Sequence, residues 1–371
     1  MSIRPLAVVA GGSAGIGRAS AERFADEGYD VAILAREPER TERAAREIAQ
    51  EYGVETLGIP CDVSDADAVT SAAHTIVERF GAIEVWVNSA MLTVIAPFDE
   101  IESDEFQAVV NTTLMGVVNG TRAALAIMKR QGKPGRGAGH IVNVGSALAY
   151  RAIPLQSAYC AAKHAVNGFT QALRSELIHD GYDIHLSLVQ LPGVNTPQFD
   201  WARNKLDSHP RPAPPVYQPE VAAEGVWAAV DRQAREIMVG RASAQLILAN
   251  MLAPAALDRQ LAKVGYSGQK AGPEQPPQGP IAGNLDRPVT GDYAAHGSFD
   301  AEARSSGMVV DGDNARLAFF GGLGALVFGA GMALGIASRG RGRRRRRVSQ
   351  AGTMVRVEDG RPVGPEVPYR Q

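Results

Sequence analysis

The chain has 371 residues, more than one ordinary α/β domain needs and fewer than two usually take. A formal net charge of −2 argues against nucleic-acid binding by bulk charge, and two cysteines exclude a disulfide framework. No CxxC or Cys/His ligand spacing is present, so no structural zinc site is expected, and Cys61 and Cys160 fit a reducing compartment. In chain order, MSIRPLAVVAGG has no secretory h-region followed by a cleavage site; its apolar run leads into a glycine turn and reads as a buried strand.

Residues 6–240 alternate apolar runs with helix-period segments. The runs are LAVVA (6–10), VAILA (31–35), LGIPCDV (57–63), IEVWVNSA (83–90), HIVNVGS (140–146), HLSLVQLPG (185–193) and EIMVG (236–240). They show little alternation, as strands buried on both faces do. Strand–helix alternation with right-handed crossovers predicts a doubly wound, parallel, seven-stranded α/β sheet.

The first strand runs into AGGSAGIG (10–17), with a helix following. Gly11, Gly15 and Gly17 stand where backbone must turn sharply and approach a pyrophosphate; the helix N-terminus supplies N–H groups and a positive dipole end. The second strand ends in Ala35 and Arg36, where NAD-binding chains place an acid for the ribose 2′-hydroxyl. Arginine pairs with a 2′-phosphate, so NADP (NADPH) is favoured over NAD. Further on, SAYCAAKHAVNG (157–168) sets Tyr159 and Lys163 four apart on one helix face. A nearby ammonium is expected to lower the phenol's pKa and suit Tyr159 to general acid/base work, while Lys163 holds the nicotinamide ribose hydroxyls. Ser146 ends the fifth strand, at the sheet edge where ligands of such folds bind.

The loop at 10–17 and the Ser-x12-Tyr-x3-Lys spacing resemble the short-chain dehydrogenase/reductase family, over roughly residues 5–245. Ala10 replaces the family's usual threonine. The resemblance implies a Rossmann-type fold and an oxidoreductase acting on CH–OH groups. The cofactor residues it implies are Gly11, Gly12, Ser13, Gly15, Ile16, Gly17, Arg36, Asp62 and Val63 at the adenine, and Asn88, Ser89 and Ala90 after strand four. Pro192, Gly193 and Thr196 follow near the carboxamide, with Tyr159 and Lys163. Ser146, Tyr159, Lys163 and Thr113 make the implied catalytic set. Thr113 rather than Asn111 falls in the register of the family's water-holding asparagine. Met91 departs from the family pattern and narrows the nicotinamide end. The segment 198–217 corresponds to the substrate cover, and Phe199, Trp201 and Tyr217 there point to an apolar carbonyl or alcohol substrate. A homo-oligomer is expected. The alternative is a membrane-tethered NADP-binding sensor or scaffold without turnover.

The remainder divides by composition. Residues 246–264 read as a helical extension interrupted by Pro254, and 265–316 as a mostly disordered Pro/Gly-rich linker. Residues 317–337 are 21 uncharged residues with six glycines, including Gly331-x3-Gly335. As a C-terminal hydrophobic helix this segment would span a bilayer or lie at its interface, contacting lipid. The tail 338–371 begins with seven arginines in 339–347. The arginines and the catalytic domain both favour the cytoplasmic side, which one span cannot satisfy; an interfacial helix with arginines on anionic lipid is the other arrangement. Nucleic acid is not an expected partner.

Overall fold

The computed structural model describes residues 4–133, 135, 137–272, 279–322, 357–358 and 361–362. Its strands are β1 (Leu6–Ala10), β2 (Asp30–Ala35), β3 (Thr56–Pro60), β4 (Val85–Asn88), β5 (Val94–Ile95), β6 (Gly139–Val144), β7 (Ile184–Gln190), β8 (Gly193–Val194), β9 (Arg203–Asn204), β10 (Val216–Tyr217), β11 (Glu236–Val239) and β12 (Val309–Asp311). The main sheet has the order β12-β11-β7-β6-β4-β1-β2-β3. Its seven predicted strands are parallel; β12 is added antiparallel to β11. From β1 the chain winds one way to β3, then returns to β4 and winds the other way. The reversal leaves a crevice at the carboxyl ends of β1 and β4, which is where ligands of such sheets bind.

The uninterrupted apolar strands follow from helices on both faces. Ala7 and Val9 of β1 pack toward α1 (Gly15–Asp26), α2 (Pro38–Tyr52) and α8 (Pro219–Asp231). Leu6, Val8 and Ala10 pack the other way, toward α3 (Ala66–Phe80), α5 (Gly116–Met128) and α6 (Ser157–His179). Local signals set the helix ends. Asp65 caps α3 by accepting from Asp67 N and Ala68 N (2.9 and 3.0 Å), and Gly53 ends α2 at φ +66°. Between α4 (Ser103–Val110) and α5, residues Asn111–Met115 form one π-helical turn.

The extension is two helices, α9 (Arg241–Leu252) and α10 (Pro254–Val264), with Pro254 at the first position of the second. Within the expected linker 265–316, the described residues from 279 on are ordered against the rest of the fold. Residues 279–311 pack on the nucleotide-binding part with Leu285, Ala295 and Phe299 buried, and finish as β12. Few apolar anchors suffice because backbone and arginine hydrogen bonds hold the rest. This compact unit runs to Phe319, and a second unit covers 320–371. Residues 312–322 are helical, and most of the expected hydrophobic helix and the arginine tail lie outside the described residues. Among the described residues no helix is long and apolar enough to cross a membrane, so that expectation gains no support.

Candidate active site

Bare backbone forms the floor of the crevice. Gly11 has φ +87°, and a Cβ there would stand 2.7 Å from Ala90 N; a Cβ on Gly17 would stand 2.1 Å from Gly11 O. No side chain caps the first turn of α1, so this end of the helix suits an anion. Gly11, Ser13, Gly15, Ile16 and Gly17 line the cleft, with Arg36, Val63, Ser89 and Ala90. Three of the expected cofactor residues line neither this cleft nor the cavity that adjoins it. Gly12 packs against Val9 and Ile33. Asp62 turns its carboxylate to Ser64 N and Oγ (2.9 and 2.8 Å). Asn88 accepts from Trp86 Nε1 (2.8 Å) and donates to Asn143 Oδ1 (2.8 Å) and Thr121 Oγ1 (3.1 Å), bracing the sheet from inside. The side chains of Asp62 and Asn88 are engaged within the fold, and Asn88 braces the sheet as its motif position suggests.

The cleft continues into a second cavity through shared walls at Ile16, Ser89, Met91, Thr196 and Gln198. Ser146, Tyr159 and Lys163 line this cavity, as do Pro192 and Gly193. Ser146 follows β6 directly, and Gln190 at the end of β7 fixes it by accepting from Ser146 N (3.0 Å). Tyr159 and Lys163 come one turn apart on α6, so the helix delivers both to the same spot. The Ser146 hydroxyl, which accepts from Leu148 N (3.1 Å), lies close enough to the Tyr159 phenol to favour its ionised form. Lys163 is 2% exposed and donates from Nζ to Val144 O (2.7 Å).

Burial decides the electrostatics. It pushes the Tyr159 phenol well above its ordinary value, and the Ser146 hydroxyl offsets only part of this. Burial also lowers Lys163 to about 8. The expected depression of Tyr159 by Lys163 is therefore corrected: the ammonium faces Val144 O, its Nζ is 5.7 Å from the centre of the Tyr159 ring, and dehydration dominates both groups.

Thr113 is fully buried in the π turn. Its hydroxyl donates to Leu92 O (3.1 Å) and accepts from Leu92 N (3.0 Å), and it lines neither cavity. Its hydroxyl thus ties the π turn to the segment after β4. Asn111 accepts from Gln107 Nε2 (2.7 Å) in an exposed pair. Of the three aromatics expected over the substrate, only Phe199 lines the substrate cavity. Trp201 lines the nucleotide cleft and meets the Tyr293 ring at 4.7 Å, and Tyr217 is buried in the core. Motif matching missed Arg40, Asn284, Pro288 and Val289 in the cleft, and Ala242, Ser243 and Leu246 of α9 in the cavity. Only the basic character of Arg40, four residues beyond Arg36, carried any signal in the sequence. The cavity's other walls include Leu148, Ile153, Val194 and Pro215, so it is mainly apolar, with Gln156, Gln198 and Ser243 as further polar groups.

A family model described as short chain dehydrogenase matches residues 5–206. The chain belongs to that family, and its members place it among the oxidoreductases. It is 29% identical to the oxidoreductase YxnA of Bacillus subtilis over 265 residues, 71% of this chain and 73% of the relative. It is 35% identical to a 3-dehydrosphinganine reductase of Arabidopsis thaliana over 192 residues, 52% of this chain and 56% of that reductase. Among solved structures, an alcohol dehydrogenase from Thermococcus sibiricus complexed with 5-hydroxy-NADP superposes with a TM-score of 0.53 at 28% identity, covering 63% of this chain and 95% of that one.

Proposed function

We propose that the protein interconverts a carbonyl and an alcohol on a small apolar molecule, with NADP(H) as its cofactor. The observation that carries this is the Ser146–Tyr159 pair, beside Lys163, where the nucleotide cleft opens into a mainly apolar cavity. The closely packed bare backbone of the glycine loop at the start of α1 fits a dinucleotide pyrophosphate, and Arg36 at the end of β2 fits a 2′-phosphate. When bound, the nicotinamide gives or takes the hydride. In reduction, Ser146 donates a hydrogen bond to the carbonyl oxygen and Tyr159 transfers its phenolic proton to that oxygen. The Ser146 hydroxyl stabilises the phenolate left behind, and Lys163 holds the ribose hydroxyls. In oxidation the proton moves the other way. Pro192, Gly193 and Thr196 position the carboxamide side. The alcohol dehydrogenase and the 3-dehydrosphinganine reductase named above support the reaction type, and the cavity walls support an apolar substrate.

The test is NADPH oxidation with a panel of apolar aldehydes and ketones. Tyr159→Phe is expected to lower kcat by roughly 100- to 10,000-fold while NADPH affinity stays within about threefold. Bound NADPH without Tyr159-dependent turnover on any of them would sink the proposal. We also read 317–337 and the following arginines as a lipid contact that keeps the catalytic part on the cytoplasmic side of a membrane. Here an alkaline carbonate wash of the membrane fraction is the check: a full-length chain that partitions no differently from one ending at residue 316 overturns it.

A further inference from the structure

The chain returns over its own nucleotide cleft. Residues 279–300 begin with the paired backbones of Asn204 and Ile281 (Ile281 N to Asn204 O, 2.9 Å) and end with Phe299 N donating to Asn195 Oδ1 (2.9 Å). In between, Arg36 donates to Asn284 O (2.7 Å), Arg40 to Val289 O (2.8 Å) and Gly15 N to Ala294 O (3.0 Å). The cleft stays open beneath this segment, because Asn284, Pro288 and Val289 line it together with Gly11 and Arg36.

Arg40 is 6% exposed, its guanidinium lies 5.0 Å from the Trp201 ring and 5.9 Å from the Tyr293 ring, and its Nε has no hydrogen-bond partner. Among the described residues neither Arg36 nor Arg40 forms a salt bridge with a carboxylate. Arg40 is buried and Arg36 partly buried, and the Glu37 carboxylate in the same cleft offsets one of these two positive charges, so a further anion is favoured beside them. A phosphate monoester dianion has the charge and the acceptor oxygens for that place.

We propose that residues 279–300 are a roof over the adenosine end of the cofactor, and that Arg40, which the roof holds, is the second guanidinium for the 2′-phosphate. This rests on the NADP(H) reading above. The roof confines the adenosine once it is in place, so cofactor release waits on the roof's opening. Arg40 makes the cleft discriminate NADPH from NADH.

The experiment follows nucleotide fluorescence on the full chain, at equilibrium and in stopped flow with each of NADPH and NADH. Arg40→Gln is expected to weaken NADPH roughly 10- to 100-fold and NADH less than about threefold, with Arg40→Lys restoring part of the difference. Asp292→Ala with Tyr293→Ala removes the Arg43 pair (2.8 Å) and the Trp201 ring contact, and is expected to speed NADPH release by roughly tenfold or more. Hydrogen exchange over 284–294 reports whether the roof is loosened in that variant. Equal losses for NADPH and NADH in Arg40→Gln overturn the role of Arg40. Unchanged NADPH release from a variant whose roof exchanges fast overturns the roof. A wild-type chain that binds neither dinucleotide overturns the cofactor reading itself, and this inference with it.

Discussion

Tyr159 sits where its own ionisation is penalised, so at neutral pH it holds its proton, the form that carbonyl reduction needs. The group that titrates in range is Lys163, which burial lowers to about 8. It is charged below that value and neutral above it. The kcat/KM for reduction is therefore expected to fall as pH rises through about 8, and a flat profile from pH 6 to 10 would remove Lys163 from the role assigned to it. His140 behaves in the opposite sense for stability. It is buried beside Ser187 Oγ (2.8 Å), and burial holds it down to about 3. Its folded-state value lies below the unfolded one, so its contribution is present above about pH 6.5 and lost below, by up to about 1.4 kcal/mol per pH unit. Melting temperature should fall with acid across that window, and His140→Leu should flatten the fall. The motif residues Ser146, Tyr159 and Lys163 were legible because one strand end and one helical turn suffice to bring them together. For Asp62 and Thr113 the partners were not legible, because spacing locates a backbone position but not the group its side chain finds. Arg40 was legible only as a charge, since the rings that sandwich it come from residues 201 and 293.

At the scale of elements, the parallel strands could be read from uninterrupted apolar runs, each covered by helices on both faces. The return segment could not. Its proline, glycine and glutamine content resembles a spacer, and its stabilising contacts are backbone carbonyls received by arginines far away in sequence. Such contacts have no period. The end of this segment is tied to the catalytic part by charge. Glu236 is almost wholly buried and accepts from Tyr150 Oη (2.7 Å) and Gln190 Nε2 (2.9 Å), and Arg316 pairs with its other oxygen. Gln190 is also the residue that holds Ser146 N. Arg316→Met leaves the buried carboxylate with only the more distant Arg235 (3.8 Å) as a cation, a change expected to cost about 3 kcal/mol of stability. Denaturant titration reads it directly, and a loss below about 1 kcal/mol would show that Tyr150 and Gln190 satisfy Glu236 unaided.

Across the whole molecule, the sheet is finished by residues that come more than 60 positions after its seventh strand, counting from Val239 to Val309. β12 gives β11 a partner on its outer side, with Ile237 opposite Asp311 and Val239 opposite Val309. A chain ending at residue 305 should therefore melt lower and self-associate, which light scattering against concentration would detect; a monomeric, equally stable product would mean that the edge needs no cover. This also sets a timetable for synthesis. The amino-terminal strands emerge first and can pair early, but β11 keeps a row of unpaired N–H and C=O groups until residue 311 leaves the ribosome. For that interval the nascent chain carries an open edge beside apolar cavity walls, the kind of surface that chaperones hold. The same delay leaves the nucleotide cleft unroofed, so a cofactor can settle on the glycine loop before the chain closes over it.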